Sequence, residues 1–204
     1  MDAMQEKIAL FEQHVREASA SPSFVHHKWF AQWHLEIVER IANELLEHYP
    51  EADEDLVKVM VWLHDYGKIL NFDDQYAETL TAGRQKLTEL GFPADFIDRA
   101  IGNIETLDKK LEVDIRESPI EVQIVSSADG CAHMVGPFMH VFWHEATDQT
   151  FTGKTYNELM ELNLQKAHKD WNYKIVLPEA RQAFENHYKV LCEQSGEIPE
   201  KFLN

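Results

Sequence analysis

Leu56, Val57, Val59, Met60, Val61, Trp62 and Leu63 form the most apolar run of the chain, and it closes on His64-Asp65-Tyr66-Gly67-Lys68. A run this apolar over several helical turns reads as a buried helix. Burying an isolated carboxylate beside it is costly unless the group is paired or binds a metal. The run therefore implies a positive partner for His64 and Asp65, with a divalent cation as the leading candidate.

The rest of the 204 residues reads with the helical period, without sustained polar–apolar alternation. Helices are expected over about 4–18, 22–48, 53–66, 74–90, 93–106, 119–131, 155–171 and 178–192, with Gly67 stopping the third. Thr155-Tyr156-Asn157-Glu158 is a capping-box pattern. The stretches 108–118 and 148–154 read as loops. The expected fold is all-α: one domain over 1–204, with a core of about 22–145 and a helical extension over about 146–204 that carries no motif.

Composition narrows the partners. Thirty-six acidic against 19 basic residues give a formal charge of −17. Such a surface repels duplex nucleic acid and anionic membranes. A small phosphorylated substrate remains compatible if a bound cation inverts the local field. Cys131 and Cys192 fit no metal or redox spacing and read as reduced thiols. The acidic, amphipathic N-terminus lacks secretory and transit character, so the expected location is the cytoplasm.

Two further positions offer ligands on helical segments. His34 lies in Trp29-Phe30-Ala31-Gln32-Trp33-His34, and Asp129 follows the apolar Ile120–Val125 stretch and precedes Gly130. With His64 and Asp65 they make two imidazoles and two carboxylates. This set suits manganese, cobalt, nickel, iron or zinc, with magnesium also compatible.

The order His34, His64-Asp65, Asp129 resembles that of the HD-domain superfamily of metal-dependent phosphohydrolases. Leu63-His64-Asp65-Tyr66-Gly67-Lys68 is similar to its apolar–His-Asp-x-Gly-Lys helix end, and Ala128-Asp129 to its last Ala-Asp pair. Arg99-Ala100-Ile101 is similar to its fifth-helix segment, so the likeness spans about 22–145. The resemblance implies an all-helical fold, a central metal and hydrolysis of phosphoester bonds, often in nucleotides. Two-metal members carry additional histidines between the doublet and the last aspartate. Residues 73–114 contain none, and Thr79, Glu105 and Thr106 stand near the expected places. This favours one divalent ion, held by His34, His64, Asp65 and Asp129, and disfavours the two-iron oxygenase branch.

Candidate catalytic residues are Asp65, Lys68 and Glu105. Lys68 could equally be a helix-end cation, and Glu105, as general base, could equally be a solvated acid. His26, His27 and His133 stand open between a role at the site and ordinary surface or core positions. His140 and His144 share a helical spacing but sit among aromatic residues. Arg84 and Lys86 read first as a solvated face. The expected activity is hydrolysis of a small phosphoester, with nucleotides favoured by family likeness alone. A non-catalytic, metal-stabilised binding module is the alternative, and homodimer formation is left open.

Overall fold

The computed structural model describes residues 3–135 and 155–194. Most of them are helical, with no strand among the described residues. The first part of the chain holds α1 (Ala3–Ser19), α2 (Glu36–Leu46), α3 (Glu54–Leu63), the short α4 (Tyr66–Leu70) and α5 (Gln75–Glu89). It continues with α6 (Ala94–Asp108), α7 (Ile120–Ala132), α8 (Tyr156–Lys169) and α9 (Pro178–Gln194). None of the described helices is long and apolar enough to cross a membrane.

α3 is the central helix. Its N-cap Asp53 accepts from the Leu56 amide at 3.1 Å, satisfying one orphan donor of the first turn. All seven apolar residues from Leu56 to Leu63 are buried, so α3 has no solvent-facing apolar stripe. It packs against α1, α2, α6 and α7. The fourfold packing explains why the run is apolar on nearly every face.

Three boundaries differ from the sequence expectation. The second helix does not begin at Pro22. Residues 21–29 form turns, a π-helical turn follows over Ala31–Leu35, and α2 starts at Glu36. The third helix ends at Leu63, and Gly67 lies inside α4 rather than stopping a helix. A Cβ at Gly67 would meet the Gln75 carbonyl oxygen at 2.0 Å and the Thr79 nitrogen at 2.4 Å. Gly67 is there because α4 and α5 touch backbone to backbone. Thr79 Oγ1 seals this contact by accepting from Gly67 N at 2.9 Å and donating to Gln75 O at 2.8 Å.

The third difference is that α8 ends at Lys169 and passes into a second π-helical turn, Asp170–Lys174. The Ile175 amide donates to Asp170 O at 3.0 Å, the long-turn bond that places Asp170 and Lys174 on one side. The stretch after it is tied to α7. Ser127 Oγ accepts from the amides of Val176 and Leu177 at 3.1 and 3.2 Å, and Ser126 Oγ donates to Lys174 O at 3.1 Å. A Cβ at Gly130 would meet Ile175 Cγ1 at 2.7 Å, so glycine lets this segment lie close on α7. The expected capping box at Thr155 forms, with Glu158 Oε2 accepting from the Thr155 amide at 2.6 Å. The expected loop 148–154 lies outside the described residues, as do His140 and His144.

Candidate functional site

Four elements converge where α3 ends. His34 comes from the first π-helical turn and is 1% exposed. His64 caps α3, Asp65 lies in the turn before α4, and Asp129 comes from α7. His34 Nε2 is 3.3 Å from Asp65 Oδ2 and 3.6 Å from Asp129 Oδ1. His64 Nε2 is 3.6 and 3.9 Å from the same two oxygens.

The tautomer of His64 is fixed by its surroundings. Its Nδ1 lies 2.7 Å from the Val61 carbonyl oxygen, which can only accept, so Nδ1 carries the proton. The buried Nε2 then holds a lone pair, has no hydrogen-bond partner, and faces two carboxylates. His133, one turn after Asp129, repeats the arrangement. Its Nδ1 donates to Asp170 Oδ2 at 2.9 Å and its Nε2 stands 3.3 Å from Asp129 Oδ1. Lone pairs aimed at carboxylate oxygens repel unless a cation lies between them.

A divalent ion fits that place. Ligand atoms of His34, His64 and Asp65 lie within 4.8 Å of one another, as do those of His34, Asp129 and His133. Ligand bonds of about 2.0–2.2 Å put neighbouring ligand atoms about 3 Å apart and opposite ones about 4 Å apart, close to the spacings seen. Imidazole nitrogen with carboxylate oxygen is the donor set of borderline transition metals.

The charge states agree. Burial pushes the His34 imidazole below its ordinary pKa, against the pull of Asp65 and Asp129, so it is neutral. Burial, helped by Lys166, lowers His133 to about 3. Burial alone would raise both aspartates, but the lysine ammoniums outweigh it, Lys68 at Asp65 and Lys174 at Asp129. Both carboxyls stay well below the usual range and remain ionised. Lys68 Nζ donates to Asp65 Oδ2 at 2.6 Å, and Lys174 Nζ to Asp129 Oδ2 at 2.6 Å.

These groups form the floor of a cavity of about 460 Å³. The HD domain family matches residues 33–134, half of the 204-residue chain. The chain belongs to the HD domain family. No curated protein and no solved structure matches it. HD domains bind divalent metals, and the His/Asp cluster just described is where this HD domain can hold one.

The structure brings together His34, His64, Asp65, Asp129 and Lys68, all of which line the HD cavity. His26 and His133 line it as well, whereas His27 Nδ1 is engaged with Phe24 O at 2.8 Å. Glu105 is not brought in. It lies half exposed on the outer face of α6, bonded to Lys109 at 2.6 Å, because the helix turns it away from the cavity that Leu107 and Asp108 line. A general base at Glu105 has no support from that position. Arg84 and Lys86 pair with Asp98 and Glu89 on the surface, as solvated residues do.

Sequence reasoning missed the wall opposite His64. Lys166, Asp170 and Lys174 line the cavity from beyond the end of the HD match, and Asp108 and Lys110 line it from the end of α6 and the residues after it. The four-residue spacing of Lys166, Asp170 and Lys174 was the available signal. On a sequence it looks like an ordinary solvated ladder, yet Asp170 is 2% and Lys174 7% exposed.

Proposed function

We propose that this HD protein is a metal-dependent phosphohydrolase acting on a small phosphoester. The observation that carries the reading is the convergence of neutral imidazole nitrogens and ionised carboxylates at the floor of a lysine-lined cavity. His34, His64, Asp65 and Asp129 would hold one divalent ion, of which manganese, cobalt, nickel, iron and zinc suit the donors best. When bound, such an ion activates water at neutral pH and polarises a phosphoryl oxygen.

The remaining work falls to the chain. Lys174 holds Oδ2 of Asp129 and leaves its Oδ1 turned toward the histidines, whereas Lys68 shares Oδ2 of Asp65 with His34 and His64. The Val61 carbonyl keeps His64 Nε2 in its lone-pair form. Lys68, 23% exposed and also facing the Phe30 ring at 5.6 Å, is placed to meet a phosphoryl oxygen from the cavity side. Asp65 would serve both as a ligand of the ion and as a partner of the attacking water. A nucleotide as substrate rests on family likeness alone. The two unbridged cysteines suit a reducing compartment, and we place the protein in the cytoplasm on that ground.

A second reading, a metal-stabilised binding module, draws on one observation. Both ligand aspartates already carry a lysine ammonium, so the cluster is partly neutralised by the chain itself. Metal content and turnover separate the two. Protein purified without chelator should contain about one ion per chain and hydrolyse members of a phosphoester panel with added manganese, cobalt, nickel or zinc. Asp65→Ala should lose both properties. Bound metal with no turnover on any ester supports the module, and no metal after adding it back overturns both readings.

A further inference from the structure

The cavity, lined by five lysines and four aspartates, lacks the acidic excess of the rest of the molecule. Five of the 19 basic residues of a chain carrying −17 line it: Lys68, Lys110, Lys166, Lys169 and Lys174. Three are matched: Lys68 to Asp65, Lys174 to Asp129 and Asp170, Lys166 to Asp170. Lys110 and Lys169 form no ion pair among the described residues. They come from different elements, the segment after α6 and the last residue of α8.

Lys169 is exposed at the rim of the cavity, whereas Lys110 sits deeper, where an ammonium without an ion-pair partner is costly. Lys110 is half-buried, and its amine is lowered first by burial and then by Lys174, with Lys169 adding to the effect. An acidic chain with 36 carboxylates could easily have supplied a partner here. Asp108, on the same wall, has Oδ2 buried with no hydrogen-bond partner, and burial raises its carboxyl to about 7. Among the described residues, the wall thus presents two ammoniums without an ion-pair partner to whatever fills the cavity.

We infer that Lys110 and Lys169 form a second anion subsite facing the metal centre, which takes a further phosphate of a substrate carrying at least two. The inference rests on reading the cavity as a phosphoester site, and it narrows the substrate from any monoester to a pyrophosphate or bisphosphate ester. The exposed Phe72 and Tyr76 line the same cavity and leave room for the organic part at the mouth.

The test uses inorganic pyrophosphate as probe and isothermal titration of full-length protein freed of unbound metal. The double variant Lys110→Gln, Lys169→Gln should bind pyrophosphate at least about tenfold more weakly than the parent, since a hydrogen bond to a charged group is commonly worth that much. Lys189→Gln, which breaks a surface pair with Glu185 on α9, should bind as the parent does. Both lysines reach solvent, so the double variant should melt with the parent. An unchanged affinity in the double variant, or an equal loss in Lys189→Gln, overturns the subsite. In turnover the double variant should raise KM for a diphosphate ester and leave a simple aryl phosphate untouched. If no ester is hydrolysed but the tenfold loss is seen, the subsite stands and the hydrolase reading falls. If esters are hydrolysed with the same KM in both proteins, the reverse holds.

Discussion

Replacing Asp170 by asparagine removes one charge from a buried cluster without changing its shape. The Asp170 carboxylate accepts from His133 Nδ1 at 2.9 Å and lies 3.5 Å from Lys174 Nζ and 3.6 Å from Lys166 Nζ. At an effective dielectric of about 20, each lysine contact is worth about 4–5 kcal/mol of attraction. Lys166 is 30% exposed, so its share is discounted, while the Lys174 side chain is 9% exposed and keeps most of its own. Burying the carboxylate costs several kcal/mol, which the variant recovers. The net loss expected for Asp170→Asn is about 3 kcal/mol, the low end for breaking a buried pair. Urea unfolding at pH 7.5 would read this as a lower midpoint with unchanged slope. Half-molar salt should leave the loss largely intact, because buried pairs are little screened. Adding Lys166→Met to the variant should recover about 1 kcal/mol by removing the stranded charge. A loss below about 1 kcal/mol, or one abolished by salt, would refute the reasoning that this cluster is a dry, matched network.

Other perturbations test separate parts of the structure. Gly67→Ala forces a methyl into the Gln75 carbonyl and the Thr79 amide, neither of which can rotate away. It should cost about 3 kcal/mol in thermal or urea unfolding, whereas Thr79→Val, which removes only the hydroxyl contact, should cost about 1–2. The Asp108 carboxyl titrates near 7 in the folded chain, mainly through burial, and near 3.9 when unfolded. Between those values the folded state binds more protons, so stability falls as pH rises from about 4 to about 7. Asp108→Asn should flatten that fall by about 1–2 kcal/mol, after discounting for its partial exposure, as followed by melting at stepped pH. Glu105→Gln should leave turnover and melting temperature as in the parent, and a large loss of turnover would return Glu105 to the site.

The candidate His/Asp cluster was legible for a definite reason. His64 and Asp65 follow a run that four helices bury, and the cost of placing a carboxylate there shows in the residues themselves. His34 and Asp129 stood out because each sits beside apolar neighbours on a helical segment. Glu105 carried no such mark. Its neighbours Ile104 and Leu107 are buried, but it faces outward, and one residue of helical phase decides between cavity and solvent. Thr79 was read only as a missing histidine, and its actual work, closing the α4–α5 contact through Gly67, depends on a partner twelve residues away.

The sequence by itself determined the all-helical class, the apolar central helix and the histidine and aspartate that end it, because helical period and the cost of burying charge are local properties. It could not decide the far wall of the cavity. Lys174 reaches Asp129, and Asp170 reaches His133, only because Ser126, Ser127 and Gly130 hold the second π-helical turn close on α7, more than forty residues earlier in the chain. Whether a charge ladder faces water or a binding cavity is set by which helix covers it, and that is decided by tertiary packing alone.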